Sequence, residues 1–177
     1  MSGRLVHRGP AFDLCVEPVE LPNGARIDLD IVRHPGAAAV VPFVSEDSVL
    51  LIHQYRHATG GSIWEVPAGK LDGEAPEVCA ARELEEEAGR RAGRLEKLGA
   101  VWTSPGFTDE RIHLFAAYDL ETVPQRLEPD EILEVVETPF ERALELVFRG
   151  ELSDAKSALA LLLAARRMGR LGGPDPA

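Results

Sequence analysis

The sequence is poor in cysteine, lacks long apolar runs and has fewer basic than acidic residues. Only two cysteines, Cys15 and Cys79, occur in 177 residues, and their positions match no metal-binding pattern. We expect no disulfide between them, and we expect Cys79 to serve packing. No apolar run is long enough to span a membrane, and the first residues lack the continuous apolar segment of a signal peptide. These absences favour a cytoplasmic protein with no membrane partner.

Basic residues number 19 against 30 acidic ones, so the formal net charge is −11. A protein that follows the phosphates of a nucleic acid needs a basic stripe. The local cluster of Arg90, Arg91 and Arg94 is interpreted as solvated or helix-end charge, and we expect no nucleic-acid partner. An acidic protein that acts on an anionic substrate needs local positive charge, which a metal ion and a few arginines supply.

The length suits a single domain with a sizeable core. After a loose lead-in over residues 1–10, Asn23-Gly24 is a two-residue hairpin signal, and residues 27–32 alternate as a half-buried strand does. Residues 36–44 are apolar and β-rich, which predicts a buried strand. The order of hairpin, strands, helix, strands and two helices predicts an α+β fold with helices on a mixed sheet.

Residues 69–89 contain a glycine-bearing loop and then a predicted helix. Pro76 suits the first helical turn and Gly89 the position after the last. On this helix Glu83, Glu86 and Glu87 lie three or four residues apart and share one face. The apolar residues expected to lie roughly opposite and to pack inward are Val78, Ala81, Leu84 and Ala88.

Carboxylates at this spacing repel each other, and a cation relieves the repulsion. High-charge oxygen ligands suit a hard ion such as Mg²⁺, which binds one or two carboxylates together with substrate phosphates; Mn²⁺ is a possible substitute. Arg82 can brace a carboxylate by a forked hydrogen bond. A solvated acidic face is the alternative that Glu85-Glu86-Glu87 alone would favour.

The order of residues in this stretch resembles the signature of Nudix hydrolases. The matching residues are Glu74, Arg82, Glu83, Leu84, Glu86, Glu87 and Gly89. Two features depart from the signature: four residues instead of five separate Gly69 from Glu74, and Arg90 replaces an aliphatic residue. The resemblance implies a Nudix-type α/β/α sandwich over residues 36–170, metal binding by the three helix glutamates, and Arg82 among the catalytic residues.

Two further stretches resemble the ADP-ribose pyrophosphatase branch of that family. Gln54-Tyr55-Arg56, followed by Trp64-Glu65-Val66-Pro67-Ala68-Gly69, implies substrate contacts by Arg56 and Glu65 and metal binding by the backbone carbonyl of Ala68. Residues 104–110 resemble a loop that lies over the substrate, which implies substrate binding by Gly106, Phe107 and Glu110. The alternatives are a surface arginine for Arg56 and a solvated turn acid for Glu110.

A polar segment over residues 121–130 lacks periodicity and ends in a cluster of acids. In the enzymes it resembles, a glutamate on this loop is the proposed general base, and the loop can close over the substrate. Pro129 occupies what would be the equivalent position. Glu131 is therefore the first candidate for the base and Glu128 the second.

The last part of the chain predicts two helices. Thr138-Pro139-Phe140-Glu141 has the pattern of a capping box, and the helix that follows should stop at Gly150. Ser153 or Asp154 should cap a final helix that runs to about residue 170 and is buried against the sheet. Residues 171–177 are expected to be disordered.

The resemblance implies hydrolysis of the diphosphate bond of a nucleoside diphosphate linked to another group. ADP-ribose, cleaved to AMP and ribose 5-phosphate, is the expected substrate. It also implies that the extension over residues 1–35 builds a homodimer. The alternatives are another nucleotide sugar, a dinucleotide cofactor or a nucleoside triphosphate as substrate, a nucleotide-sensing module without turnover, and a structural partner protein with an incidental acidic helix.

Overall fold

The structure is a computed structural model that describes residues 3–171. Its strands are β1 (Arg4–Arg8), β2 (Asp13–Glu20), β3 (Arg26–Arg33), β4 (Ala37–Ser45), β5 (Ser48–Arg56), β6 (Gly61–Glu65), β7 (Ala68–Lys70), β8 (Arg90–Trp102), β9 (Arg111–Thr122) and β10 (Leu133–Pro139). Its α-helices are α1 (Pro76–Ala88), α2 (Phe140–Phe148) and α3 (Ala155–Arg167). A short 3₁₀ helix, His57–Thr59, follows β5.

Seven strands form one mixed sheet in the order β10-β5-β4-β9-β8, with β6 beside β5 and β7 beside β4. β4 and β9 are parallel, and the other neighbours are antiparallel. One apolar cluster joins α1 to the sheet, and a second joins α2 and α3 to it. The predicted α/β/α sandwich with a mixed sheet is confirmed.

The sheet opens between β4 and β5, and this opening positions the site. The two strands pair next to their connecting turn, where Phe43 lies opposite Val49. Farther along, β4 pairs with β7 and β5 pairs with β6. The segment that joins β6 to β7 crosses the opening, and there the N–H of Val40 donates to the carbonyl of Pro67 at 2.9 Å.

Helix α1 has the predicted bounds, and Gly89 follows it in the left-handed conformation, with φ of 60°. Its buried face differs from the prediction, because Val78 is 55% exposed. With 3.6 residues per turn, Val78 points almost opposite the buried Ala80 and about 120° away from the buried Leu84. Glu83 and Glu87 belong to the buried face, with 7% and 2% exposure, so the expectation that they lie opposite the apolar residues is wrong.

The first three strands form a separate antiparallel sheet in the order β1-β2-β3. The expectation of a loose lead-in is therefore wrong for Arg4–Arg8, which pair with β2. The hairpin is confirmed, but its turn has three residues, because the N–H of Leu21 donates to the carbonyl of Ala25 at 2.8 Å. Gly24 takes a φ of 81° at the end of this turn, as in hairpins closed by a glycine bulge.

This small sheet is fastened to the loop after β8. The N–H of Val32 donates to the carbonyl of Phe107 at 2.8 Å. The Asp109 carboxylate accepts from the Arg33 guanidinium and from the N–H of His34, both at 2.8 Å. The Arg33 ion pair lowers the pKa of Asp109 against the effect of its burial. The loop expected over the substrate is thus held by the N-terminal sheet.

The expected capping box is wrong, and one of two interpretations of the arginine cluster is excluded. Thr138 and Pro139 end strand β10, which the sequence analysis leaves unpredicted, and Pro139 makes no side-chain cap hydrogen bond at the start of α2. Arg90, Arg91 and Arg94 lie in strand β8, where Arg91 and Arg94 are exposed, so the solvated interpretation fits these two and the helix-end interpretation does not. The cap at Asp154 is confirmed, since its carboxylate accepts from the N–H of Ser157 at 3.0 Å.

Some expectations stay open. Residues 172–177 of the tail expected to be disordered lie outside the described residues. The domain boundary at residues 35 and 36 stays a prediction. Within residues 3–171, no helix has both the length and the apolarity needed to cross a bilayer.

Candidate active site

Helix α1 turns its carboxylates toward a cavity of about 520 Å³. The lining residues from the predicted site are Arg56, Ala68, Arg82, Glu83, Glu86, Glu87, Glu128 and Glu131. The structure therefore brings together, in one cavity, all four expected metal ligands, the three residues expected to be catalytic and one expected substrate contact. Acids outnumber bases here, which fits a site that needs a cation before it can take an anionic substrate.

Glu87 is the most deeply buried of the helix carboxylates, with 2% exposure. Burial raises its pKa to about 8, the charges of Glu83 and Glu131 act in the same direction, and the N–H of Ala68 opposes them. That N–H donates to Glu87 Oε2 at 2.8 Å. A carboxylate in these surroundings gains from a bound cation, because the cation favours its ionised form.

Glu83 lies against the backbone of β7. A Cβ atom at Gly69 would be 1.8 Å from Glu83 Oε1, so only glycine leaves room for this carboxylate in its present position. Burial raises the pKa of Glu83, although the neighbouring Arg82 opposes this shift. The signature therefore needs a glycine at position 69 because the Glu83 carboxylate approaches its backbone closely. A left-handed conformation is not the reason, since the φ of Gly69 is not in that region.

Arg82 braces the acidic cluster. Its guanidinium reaches Glu74 at 2.6 Å, and Glu83 and Glu86 at 2.8 Å each. It also donates to the carbonyl of Lys70 at 3.2 Å. Hydrogen bonds to these carboxylates raise the pKa of Arg82. In this arrangement Arg82 positions the glutamates.

The shortened signature loop keeps Glu74 in place. The N–H of Glu74 donates to the carbonyl of Leu71 at 2.8 Å, and the two residues between them, Asp72 and Gly73, have φ of 45° and 86°. Positive φ at both central residues is the pattern of a type I′ turn. The tight turn accommodates the missing residue, so Glu74 still meets Arg82.

The carboxylates fit a hard divalent cation by their chemistry. In the stretch from residue 3 to residue 171, no three His, Cys, Asp or Glu side chains converge closely enough to form a ready metal site. Instead, Arg82 draws Glu83 and Glu86, and Glu87 binds the N–H of Ala68. The donors are nevertheless oxygen atoms of high charge in one cavity, which is the donor set of Mg²⁺ and similar ions.

Glu131 and Glu128 form a compact turn on the opposite wall. The Glu131 carboxylate accepts from the N–H of Glu128 at 2.7 Å, and the N–H of Glu131 donates to the Glu128 carbonyl at 3.0 Å. The charge of Glu131 helps raise the pKa of both Glu83 and Glu87. Of the two loop glutamates, Glu131 is therefore the one whose charge acts on the helix carboxylates.

Arg56 and Glu65 form an ion pair at the edge of the cavity. Glu65 is 1% exposed and accepts from Arg56 Nε at 2.7 Å and Arg56 Nη2 at 3.1 Å. Lys156 also donates to this carboxylate. Burial opposes ionisation of Glu65, but the two cations outweigh it and lower its pKa. Glu65 thus holds Arg56 in place, while Arg56 itself faces the cavity.

A second part of the site lies between Arg56 and the loop after β8. Its cavities, of about 490 and 350 Å³, share His34, Thr103, Ser104 and Glu110. Glu110 accepts from the Thr103 hydroxyl at 2.8 Å and does not line the acidic cavity. Phe107 lines the smaller of these two cavities and is 55% exposed, and Gly106 is exposed in the turn before it.

Three residues that line the cavities were not assigned to the site by the sequence analysis. His34 lines all three cavities, and Lys156 lines the cavity next to Arg56. Gln54 is 4% exposed, and its Oε1 has no hydrogen-bond partner among the described residues. Gln54 lies two residues before Arg56 on β5, so the alternation of a strand was a signal that could have found it.

The family assignment follows from fold, site and similarity. The NUDIX domain family matches residues 32–161, which include the opening of the sheet, α1 and both walls of the acidic cavity. The chain belongs to the NUDIX family, and the signature glutamates on α1 place it among the Nudix hydrolases.

Three bacterial relatives match most of the chain. The chain is 46% identical over 159 residues to the ADP-ribose pyrophosphatase of Bacillus subtilis, covering 88% of this chain and 86% of that one. It is 34% identical over 166 residues to the ADP-ribose pyrophosphatase of Mycobacterium tuberculosis, covering 92% and 80%. It is also 41% identical over 159 residues to the methanol dehydrogenase activator of Bacillus methanolicus, covering 88% and 86%.

A solved structure shares the fold. The crystal structure of an ADP compounds hydrolase has a TM-score of 0.81 and 24% sequence identity, and the match covers 97% of this chain and 95% of that one. At this identity the likeness supports the fold alone.

Proposed function

We propose that the protein hydrolyses the diphosphate bond of ADP-ribose to AMP and ribose 5-phosphate with the help of a divalent cation, Mg²⁺ or in its place Mn²⁺. The observation that carries this proposal is the single cavity that joins the buried Glu83 and Glu87 to the cationic Arg56. Two relatives that cover most of the chain are ADP-ribose pyrophosphatases. These relatives support the substrate, and the cavity supports the reaction.

Arg56 is assigned to the diphosphate. Its Nε and Nη2 atoms are held by Glu65, and its Nη1 donates to no group among residues 3–171. This free edge offers a donor to a phosphate oxygen, and guanidinium is well suited to phosphate recognition. Glu65 has little exposed surface, so its assigned role is to orient Arg56.

Glu83, Glu86, Glu87 and the carbonyl of Ala68 are assigned to the cation, which when bound would neutralise the diphosphate and lower the pKa of a coordinated water. By holding the cation, these residues would determine where the negatively charged diphosphate can bind. Arg82 keeps the carboxylates in register through Glu83 and Glu86. The tight turn before Glu74 preserves this bracing, which weighs against a sensing module without turnover.

The hydrolysis consumes one water. Its oxygen joins one phosphorus, the bond from that phosphorus to the bridging oxygen breaks, and a proton leaves the water. Glu131 is assigned as the acceptor of this proton, because its charge acts on the carboxylates of α1; Glu128 is the second candidate. The loop of Gly106, Phe107 and Glu110 is assigned to the rest of the substrate.

We further propose a homodimer built through the N-terminal sheet, and the cytoplasm remains our prediction for its location. Leu5, Val6, Phe12 and Ile27 of this part of the chain are 40–48% exposed. Two of these residues lie on β1, one lies between β1 and β2, and one lies on β3; exposed apolar residues concentrated in one part of a fold mark interaction surfaces. β1 is also an edge strand of its sheet, with backbone groups open to a further strand.

The substrate assignment is tested by comparing kcat/KM over a panel in the presence of Mg²⁺. The panel holds ADP-ribose, GDP-mannose, NADH, FAD and a deoxynucleoside triphosphate; GDP-mannose is included because a GDP-mannose pyrophosphatase of Cronobacter sakazakii is 40% identical over 154 residues. We expect ADP-ribose to give the highest value and AMP as a product. A higher kcat/KM for another compound would overturn the assignment of the substrate, while the assignment of the catalytic site would stand.

A further inference from the structure

Lys156 occupies a position that is unfavourable for a lysine. It lies in the first turn of α3, after the N-cap Asp154, where the helix dipole disfavours a cation. Its side chain is only 13% exposed, and lysines are rarely buried unless they are paired. Lys156 is paired, so its burial is explained by its partners, but a cation in the first turn of a helix at a cavity wall still breaks a local preference and indicates a functional role.

The partners of Lys156 link α3 to the substrate-binding arginine. Its Nζ donates to Glu65 Oε2 and, at 2.9 Å, to Asp154 Oδ2. Glu65 in turn binds two nitrogens of Arg56. Two carboxylates, Glu65 and Asp154, therefore share the cations of Arg56 and Lys156, and the group is neutral as long as both cations serve it.

Substrate binding would disturb this balance. When the free Nη1 of Arg56 binds a phosphate oxygen, its single positive charge is shared between the diphosphate and Glu65, which still holds Nε and Nη2. With Arg56 as sole partner, the 1% exposed Glu65 would have to share its only cation with the substrate. A buried charge without a full partner is strongly destabilising.

We propose that Lys156 is a positioning residue that keeps Glu65 neutralised while Arg56 binds the diphosphate of the substrate. The inference rests on the proposed function, because it assigns Arg56 to the diphosphate. Lys156 acts through Glu65 and Arg56 and makes no contact with the reacting atoms. It lets one arginine serve an internal carboxylate and the ligand at the same time.

The test is Lys156→Met, which keeps the length of the side chain and removes its charge. We expect KM for ADP-ribose to rise about tenfold and kcat to stay within about twofold, because the change weakens binding and leaves the α1 carboxylates in place. Lys156→Arg should restore most of the affinity. An unchanged KM in a folded Lys156→Met protein would overturn the proposal.

Double variants show whether Lys156 acts through the pair. In an Arg56→Ala background, Lys156→Met should raise KM no further, since residues in one network are not additive. In a Lys156→Met background, Glu65→Gln should not restore KM, because Arg56 then lacks the carboxylate that orients it. Additive effects of Arg56→Ala and Lys156→Met would mean that Lys156 contacts the substrate by itself, and the positioning role would be wrong.

Lys97→Met is the matched control. The chain has three lysines, and Lys97 is exposed on β8, so this variant changes net charge equally and should leave KM unaltered. Calorimetric binding of an ADP-ribose analogue whose bridging oxygen is replaced by a methylene group, measured with Mg²⁺, separates this inference from the proposed function. Tight binding that falls in Lys156→Met supports the inference even if no product forms; equal binding in both proteins overturns it even if the enzyme is active.

Discussion

At the residue scale, Glu87 shows how burial and charge compete in the site. Its carboxylate is 2% exposed, and its pKa is raised to about 8. In the unfolded chain a glutamate titrates near 4.5. Between these two values the folded state binds one proton more than the unfolded state, so this group stabilises the fold fully below the lower value and progressively less as pH rises.

This difference predicts a pH-dependent effect of Glu87→Gln, which mimics the protonated acid. In metal-free buffer, the free energy of unfolding of wild type minus that of the variant should fall between pH 5 and pH 8, by at most about 1.4 kcal/mol per pH unit. Above pH 8 the difference should level off. Urea unfolding of both proteins across pH 5–9 measures it.

Titrating groups far from Glu87 cancel between the two proteins, whereas Glu83 and Glu131 interact with Glu87, so the midpoint of the difference belongs to this coupled group. Added Mg²⁺ should stabilise wild type more than Glu87→Gln at pH 8. Parallel stability curves over the whole pH range would contradict the raised pKa of Glu87.

Sequence reasoning at this scale identified the glutamates of α1 and Arg82, because helical spacing and a long motif specify them locally. It failed for Val78, because four apolar residues did not determine which face of α1 meets the sheet. It also passed over Lys156, since a lysine at a helix start has no local sign of burial. Its partner Glu65 is far away in the chain, and only the fold joins them.

At the scale of elements, the contact between β7 and α1 depends on Gly69. A Cβ atom here would overlap Glu83 Oε1 at 1.8 Å. Because the overlapping atoms are the end of a flexible side chain, Gly69→Ala should displace the Glu83 carboxylate and leave the backbone in place. We therefore expect nearly wild-type thermal stability together with a loss of activity of about tenfold or more, the result of losing well-placed site geometry.

Gly99→Ala is the matched control for this change. A Cβ at Gly99 would meet only Leu163 Cδ1 at 3.8 Å, an ordinary contact. Thermal melts and ADP-ribose kinetics of both variants decide the matter. Full activity in Gly69→Ala would show that Glu83 does not need its present position.

Elements with local signals were predictable and those with distant partners were not. Pro76 and Gly89 set the bounds of α1, and Asp154 sets the start of α3. β10 was missed because its hydrogen bonds depend on the edge of β5, which no local pattern announces. The Thr138 motif then suggested a helix cap where the chain ends a strand.

At the scale of the whole molecule, the N-terminal sheet leads to a prediction about assembly. We expect the wild-type protein to sediment as a dimer at micromolar concentration and Val6→Glu to sediment as a monomer, because a charge on the exposed face of β1 opposes apolar contact. Phe148→Glu is the control, since Phe148 is 66% exposed on α2. A monomeric wild type, or a dimeric Val6→Glu, would contradict this interface.

The whole fold was predictable because a long motif fixed the family and the family fixes the sandwich. The sequence did not reveal that β4 and β5 separate, which makes room for the segment before Ala68. That opening brings Glu65, the α1 carboxylates and Arg56 to one place. It follows from strand pairing over the whole sheet and has no signature of its own.

The most direct test of the central claim is AMP release from ADP-ribose by wild type and Glu87→Gln, each with Mg²⁺ and with EDTA. We predict rapid release by wild type with Mg²⁺ and almost none with EDTA. In Glu87→Gln with Mg²⁺ the rate should fall by about a hundredfold or more, which corresponds to an increase of about 3 kcal/mol in the activation barrier. Circular dichroism should show both proteins equally folded. Near-wild-type release by Glu87→Gln, or equal rates with Mg²⁺ and EDTA, would contradict the account.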